Sequence, residues 1–407
     1  MNAYPATNVQ RPKVGLCAFV VIAICLISPI FANNIPCTWK FENTADSNKL
    51  KVYECWKAYL QSAPDSLYDN PYWNSEDKQK YRSYDLLNSE GYLTPGLYKF
   101  RGIRNEVLSI SKIDNKYDIR SMFYWIYKDT LSHSHNIYVM AITHTMAQID
   151  SAGQCKLSNF LHHYTTSWKT EKYGNITYCY YPEYSFNREE AFRANRMLAF
   201  LRENLDIQVD DIKYYISENC ESISKLKGFD FVVGEGENPT NECGFFDVYN
   251  SIIYATAKRG ECYEHEFMRL VWQQYPQAHG LFIQGVTECF VQNGLQRGIS
   301  HQEHFNNIDE YLILHPEIDF YEWRNLPNLK GVTAPIYLMG AMICMLTIEK
   351  GGIPLLAKAI KEYGNTKEQL YLFIQTELGI GEEDFNRYFR QKVHEYAIEG
   401  FPNYVLE

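Results

Sequence analysis

The chain has 407 residues, 22% of them charged and 46% hydrophobic, the proportions of a globular protein with room for two cores rather than of a disordered chain. Its formal net charge of −10 at pH 7, with no basic cluster, argues against a phosphate backbone as partner, so no nucleic acid is expected. The 33 tyrosines are read as half-buried rings in β-structure.

Arg11 and Lys13 precede an apolar run from Val14 to Ala32 that carries no charge. That layout is a secretory signal over residues 1–32, with the small Ala32 as the last residue before cleavage. The alternative is an uncleaved anchor, the one case in which a membrane is expected as partner. Either reading puts the bulk of the chain outside the cytoplasm, as a secreted, periplasmic or cell-surface protein. Beyond the signal an odd number of cysteines remains, and Cys37–Cys55, Cys155–Cys179 and Cys220–Cys243 are plausible pairs in an exported chain.

The expected fold class is α+β. Residues 33–187 read as an N-terminal α+β domain. It opens with a helix in which Tyr53, Trp56, Tyr59 and Leu60 recur at helical spacing. Strand-like runs follow at Val107–Ile113, Ile119–Tyr127, Ile137–Ile149 and Gly174–Tyr181, with a turn at Ser151-Ala-Gly-Gln154. Leu157–Trp168 fits a helix or a strand. A second domain, 188–407, starts at Asn187-Arg-Glu-Glu190, a helix-capping pattern, with a helix over Ala191–Asn204. Next come a strand at Ile212–Ile216, a helix at Cys220–Leu226, a strand at Phe229–Val233, a Gly-rich loop over Gly234–Gly244 and a strand at Asp247–Ala255. From Cys262 the pattern is helical almost to the end.

The stretch Tyr263-Glu-His-Glu-Phe-Met-Arg269 carries the most chemistry. Two histidines at i and i+4 on a helix can share one zinc ion, and a glutamate beside the first can take a proton from metal-bound water. Here His265 and Glu266 are present, but Arg269 stands at the second ligand position, and a guanidinium has no lone pair to give a metal. Further on come Thr287-Glu-Cys-Phe-Val291 and Ala334-Pro-Ile-Tyr-Leu-Met-Gly-Ala341. Together with the closing Asp384-Phe-Asn-Arg-Tyr-Phe389, these stretches resemble the gluzincin metallopeptidases in their aminopeptidase-like branch, over roughly Phe186 to Tyr396.

The resemblance implies a zincin-like domain: a small mixed sheet, a helix of the active-site type, and a mainly helical C-terminal part. It makes His265 a vestigial zinc ligand, Glu266 a vestigial general base, Glu288 a vestigial third ligand and Tyr337 a vestigial oxyanion donor, with Arg269 marking the degenerate ligand position. Cys289 replaces the glycine usual after the glutamate ligand. Gly234-Glu-Gly-Glu-Asn238 is a loose echo of the family's substrate-clamping pattern. His279, His301 and His304 are expected at the surface, from which they could be recruited as ligands. Arg269 is expected to pair with Glu266 or Glu288.

On this reading no cofactor is expected, and the chain is an exported, inactive pseudopeptidase whose former cleft binds a peptide, a protein or a surface polymer. The strand Asp247–Ala255 is the candidate edge for β-augmentation. Two alternatives stand beside it: an atypical active zinc metallopeptidase using His265, Glu266 and Glu288, and a cell-surface structural or adhesive protein.

Overall fold

The computed structural model describes residues 41, 44–62, 69–89, 103–128, 135–209, 211–233, 242–290 and 299–402. The signal over 1–32, Cys37 with its pairing to Cys55, and the Gly234–Asn238 echo lie outside these residues. The class is α+β, and the chain divides into two compact units: residues 1–160 with 228–235, and residues 161–227 with 236–407. The division falls ahead of the expected 187/188, because the hairpin that precedes the Asn187 cap hydrogen-bonds into the sheet of the second unit.

In the first unit, helix α1 (Ser47–Gln61) begins at Asp46, whose carboxylate accepts from the Asn48 and Lys49 amides. Its Val52, Tyr53, Trp56 and Tyr59 form one buried stripe, whereas Leu60 is only half buried. Short helices α2 (Ser75–Lys80) and α3 (Leu86–Ser89) follow. Strands β1 (Arg104–Ile113), β2 (Lys116–Lys128), β3 (His135–Ile149) and β4 (Cys155–Ser158) form an antiparallel sheet in that order. Gly153, at φ 79°, makes the turn expected between β3 and β4. Val107, Ile119, Phe123, Ala147 and Leu157 face α1 in one core, and the Trp56 indole donates to Asn105 at 3.1 Å. The segment expected as a helix or a strand contains the short helix α4 (Phe160–Tyr164).

In the second unit, β5 (Lys169–Tyr173) and β6 (Ile176–Tyr180) make a hairpin. The Asn187 side chain accepts from the Glu189 and Glu190 amides and starts α5 (Arg188–Leu205). Strand β7 (Ile212–Ser217) leads to α6 (Cys220–Leu226). The chain then leaves this unit. β8 (Phe229–Val232) pairs antiparallel with β3 through Ala141–Thr143 and belongs to the first sheet. On its return the chain forms β9 (Gly244–Asp247) and β10 (Ile252–Thr256), and the Cys220–Cys243 disulfide joins the outgoing and returning ends. The sheet order is β5-β6-β7-β10-β9, with β6, β7 and β10 parallel and both outer strands antiparallel to their neighbours.

The single strand expected over Asp247–Ala255 is therefore two strands joined by a turn. β10, buried at all five positions, is interior, and β9 is the edge. Helices α7 (Glu264–Gln274), α8 (Gly280–Phe290), α9 (His301–Leu314), α10 (Pro335–Glu362), α11 (Lys367–Phe373) and α12 (Phe385–Glu399) complete the unit. α10 is a core helix on α8, broken where Gly352 takes φ 69° shortly before Pro354. Its length and apolarity would also suit a bilayer span, but most of its apolar stretch is buried inside the unit.

Candidate functional site

The site grows from the N-terminus of α7. Glu264 and Glu266 in its first turn suit the positive end of the helix dipole. Phe267, Met268, Leu270 and Val271 bury its inner face. Arg193 of α5 chelates Glu190 at 2.9 Å and reaches Glu264 at 2.6 Å, which ties α5 to α7. The segment leading into α7 is anchored as well. The Asn187 amide donates to the buried Glu261 carboxylate at 2.6 Å, and Tyr184 donates to it at 3.1 Å. The Tyr263 amide donates to the Tyr214 hydroxyl at 3.2 Å.

On this fixed turn, His265 and Arg269 are one helical turn apart, and Glu266 and Arg269 are three positions apart. The Arg269 Nε lies 2.9 Å from Glu266 Oε2. Of the two carboxylate partners open to Arg269, the structure selects Glu266. That oxygen has no aligned hydrogen-bond donor, so the contact is a charge pair rather than a directed bond. Glu266 is 2% exposed, whereas the Arg269 side chain is 45% exposed, so the cation stays hydrated while the anion does not. Burial raises the Glu266 carboxyl above its usual value, and Arg269, Arg259 and the Phe246 backbone N–H oppose that rise without cancelling it.

The Phe246 contact ties the helix to the edge strand. The Thr256 amide bonds the Cys243 carbonyl at 3.1 Å, and Ala255 sits opposite Gly244. In an antiparallel pair alternate residues turn their backbone groups outward, so Gly244 and Phe246 point away from β10. The Glu266 carboxylate thus takes up an outward N–H of β9. Gly244 has its own reason to be glycine: an added Cβ would lie 2.1 Å from the Tyr263 ring, so a side chain there would drive the ring off β9. The Tyr263 ring also stacks on His265, with centroids 6.1 Å apart, and carries the Arg259 guanidinium 4.7 Å from its centre. Arg259 in turn pairs with Glu242 at 3.3 Å. Desolvation, then Arg269 and Arg259, lower the His265 imidazole to about 4. It is neutral near pH 7, but two cations face it.

Glu288 lies near the end of α8, buried, and pairs with His301 Nε2 at 3.2 Å. His301 is the first residue of α9, whose N-cap Ser300 accepts from the Glu303 amide. The Phe401 ring packs edge-on against it, centroids 5.2 Å apart. The surface expected for the three extra histidines is corrected by their burial: His279 is 0%, His304 1% and His301 6% exposed. His304 bonds Thr333 at 2.8 Å in a polar cluster with Asn307. His279 is lowered to about 4 by burial and by Arg324, and its Nε2 has no hydrogen-bond partner among the described residues. All three lie where apolar helices converge, and sequence polarity does not report that.

Tyr337 is part-buried in the first turn of α10. Its companions in the motif have a packing role: a Cβ on Gly340 would lie 2.5 Å from the Leu281 carbonyl, and one on Gly285 would lie 2.1 Å from the Gly340 carbonyl. Cys289 donates to the Ala341 carbonyl at 3.2 Å across the same contact. The structure therefore brings together Glu266 with Arg269, His265 with Tyr263, and Glu288 with His301. Among the described residues, no three His, Cys, Asp or Glu side chains converge as a metal would require.

Sequence reasoning missed Arg259, Tyr263, Gly244, Phe246 and the His301 contact. Tyr263, adjacent to the motif, was the one signal within reach of local reading. No family model matches the chain, and no curated protein matches it.

Proposed function

We propose that the chain is an exported, noncatalytic gluzincin-like protein whose β9 edge binds a peptide or protein segment in extended form. The observation that carries this reading is the Arg269–Glu266 pair at 2.9 Å. The carboxylate that would serve as general base is held by a fixed cation and by the Phe246 N–H. The carboxylate that would serve as third ligand is held by His301. Neither is free to act on metal-bound water, and the second zinc ligand is an arginine.

Among the described residues no strand pairs with the outer side of β9. The outward backbone groups of Gly244 and the outward carbonyl of Phe246 can add a strand by main-chain hydrogen bonding. The test uses the full chain with a random peptide library, and with a quenched fluorescent peptide library in the presence of zinc. Peptide binding that slows hydrogen exchange at the Gly244 amide, with no turnover above that of Glu266→Gln, is the expected result. Zinc-dependent turnover lost in Glu266→Gln would replace this reading with the active metallopeptidase, for which His301 beside Glu288 offers an additional imidazole.

A second reading has one observation in its favour. Trp125 and Tyr138, cross-strand partners on β2 and β3, are 37% and 40% exposed with rings 5.4 Å apart. Such an aromatic platform suits an adhesive, glycan-binding role. Glycan-array binding lost in Trp125→Ala, without peptide binding, would favour it.

A further inference from the structure

The first unit holds two thiols that the site does not use. Cys55 lies on the buried face of α1, and Cys155 opens β4. Cys55 Sγ lies 3.4 Å from the Cys155 carbonyl oxygen, and the two thiols hydrogen-bond to each other. That bond holds Cys55 below the usual thiol value against the opposing effect of burial, and it pushes Cys155 up, with burial adding to the rise. Trp56 and Leu157, next to and two positions from the thiols, belong to the same buried core.

Cys262, Cys220 and Cys243 differ. Cys262 is buried and raised to about 12 by desolvation, the condition of an inert thiol. Cys220 and Cys243 already form a disulfide, the state of a chain that folds under oxidising conditions. Cys155 and Cys179, read from the sequence as a plausible pair, do not form a disulfide with each other.

We propose that Cys55 and Cys155 close into a second disulfide that clamps α1 to the edge strand β4 across a sequence separation of 100. In the closing reaction each thiol gives up its proton, and together they give up two electrons. A low-molecular-weight disulfide accepts both and departs as two thiols. Its S–S bond breaks as the protein's forms.

The test incubates the purified full chain with glutathione disulfide, alkylates the remaining thiols with iodoacetamide, and maps the unreduced digest by mass spectrometry. A cross-linked peptide pair containing Cys55 and Cys155, beside the pair containing Cys220 and Cys243, is the expected result. Slower hydrogen exchange across α1 than in untreated protein should accompany it. Cys155→Ser should abolish the new cross-link and leave Cys55 alkylated. Both thiols alkylated in folded wild-type chain, a Cys37–Cys55 cross-link, or a glutathione adduct that never resolves onto the second cysteine would each overturn the proposal. The wild-type map decides it even where a variant does not fold.

Discussion

The half-exposed guanidinium of Arg269 sits 2.9 Å from the carboxylate of Glu266, which is 2% exposed and also accepts the outward Phe246 N–H of β9. One buried carboxyl therefore joins helix α7 to the edge of its sheet, and the cation on the next turn opposes the rise that burial imposes on it. A buried charge whose partner is removed has no water to replace it.

Arg269→Ala should therefore destabilise the chain by about 1–3 kcal/mol near pH 7, with solvent access to Arg269 keeping the loss below that of a fully buried pair. Glu266→Gln, which keeps an acceptor for the Phe246 N–H, should cost less than Glu266→Ala. Urea unfolding of the three variants checks the order. Equal losses for Gln and Ala would mean that the Phe246 contact contributes nothing.

Arg269→His should place an imidazole one turn from His265 and remove a repelling charge. Zinc affinity should rise at least about 10-fold, the equivalent of ~1.4 kcal/mol. Competition against a fluorescent chelator measures it in wild type and variant. A folded variant with unchanged affinity would show that position 269 is not the lost ligand position.

In the first unit, His144 bridges Asp118 at 2.8 Å and Asp230 at 2.9 Å, with Arg120 on the far oxygen of Asp230 and the Phe160 ring alongside. Burial alone would lower its pKa, but the two carboxylates outweigh burial and raise it. The folded state thus holds the proton more tightly than the unfolded chain does. This contribution is fully present below the ordinary value of about 6.5 and is lost as pH rises through the higher folded value. Melting temperature should fall across that window in wild type and fall less in His144→Gln. Parallel curves would refute the bridge as a source of stability.

His265 and His279 have the opposite sign. Each is lowered to about 4, so the unfolded chain binds protons more readily, and stability should fall as pH drops from about 6.5 towards 4. His265→Gln should flatten part of that acid limb in the same melting series. An unchanged limb would mean that His265 is hydrated in solution.

Gly285→Ala and Gly340→Ala should each cost about 1–3 kcal/mol or more, because the added methyl falls on the facing helix backbone, which cannot swing away as a side chain can. Thermal denaturation checks this. A neutral result at both positions would show that α8 and α10 separate at little cost.

Local chemistry settled much of this protein from the sequence alone. The Asn187 cap, the helix Cys220–Leu226, the strand from Ile212, the helix bearing His265 and Glu266, and the Arg269–Glu266 option are all decided within a few residues of one another, where spacing along the chain is spacing in space. Tertiary structure alone decided the rest. β8 crosses to the first sheet, and β10 is interior while β9 is the edge, although each reads as an ordinary strand. Glu288 meets His301, 13 positions away, and Cys55 meets Cys155, 100 positions away. Hydrophobic period reports which face of a segment is buried, but not against what. That choice depends on which distant segments reach the same place, a property of the whole packed chain.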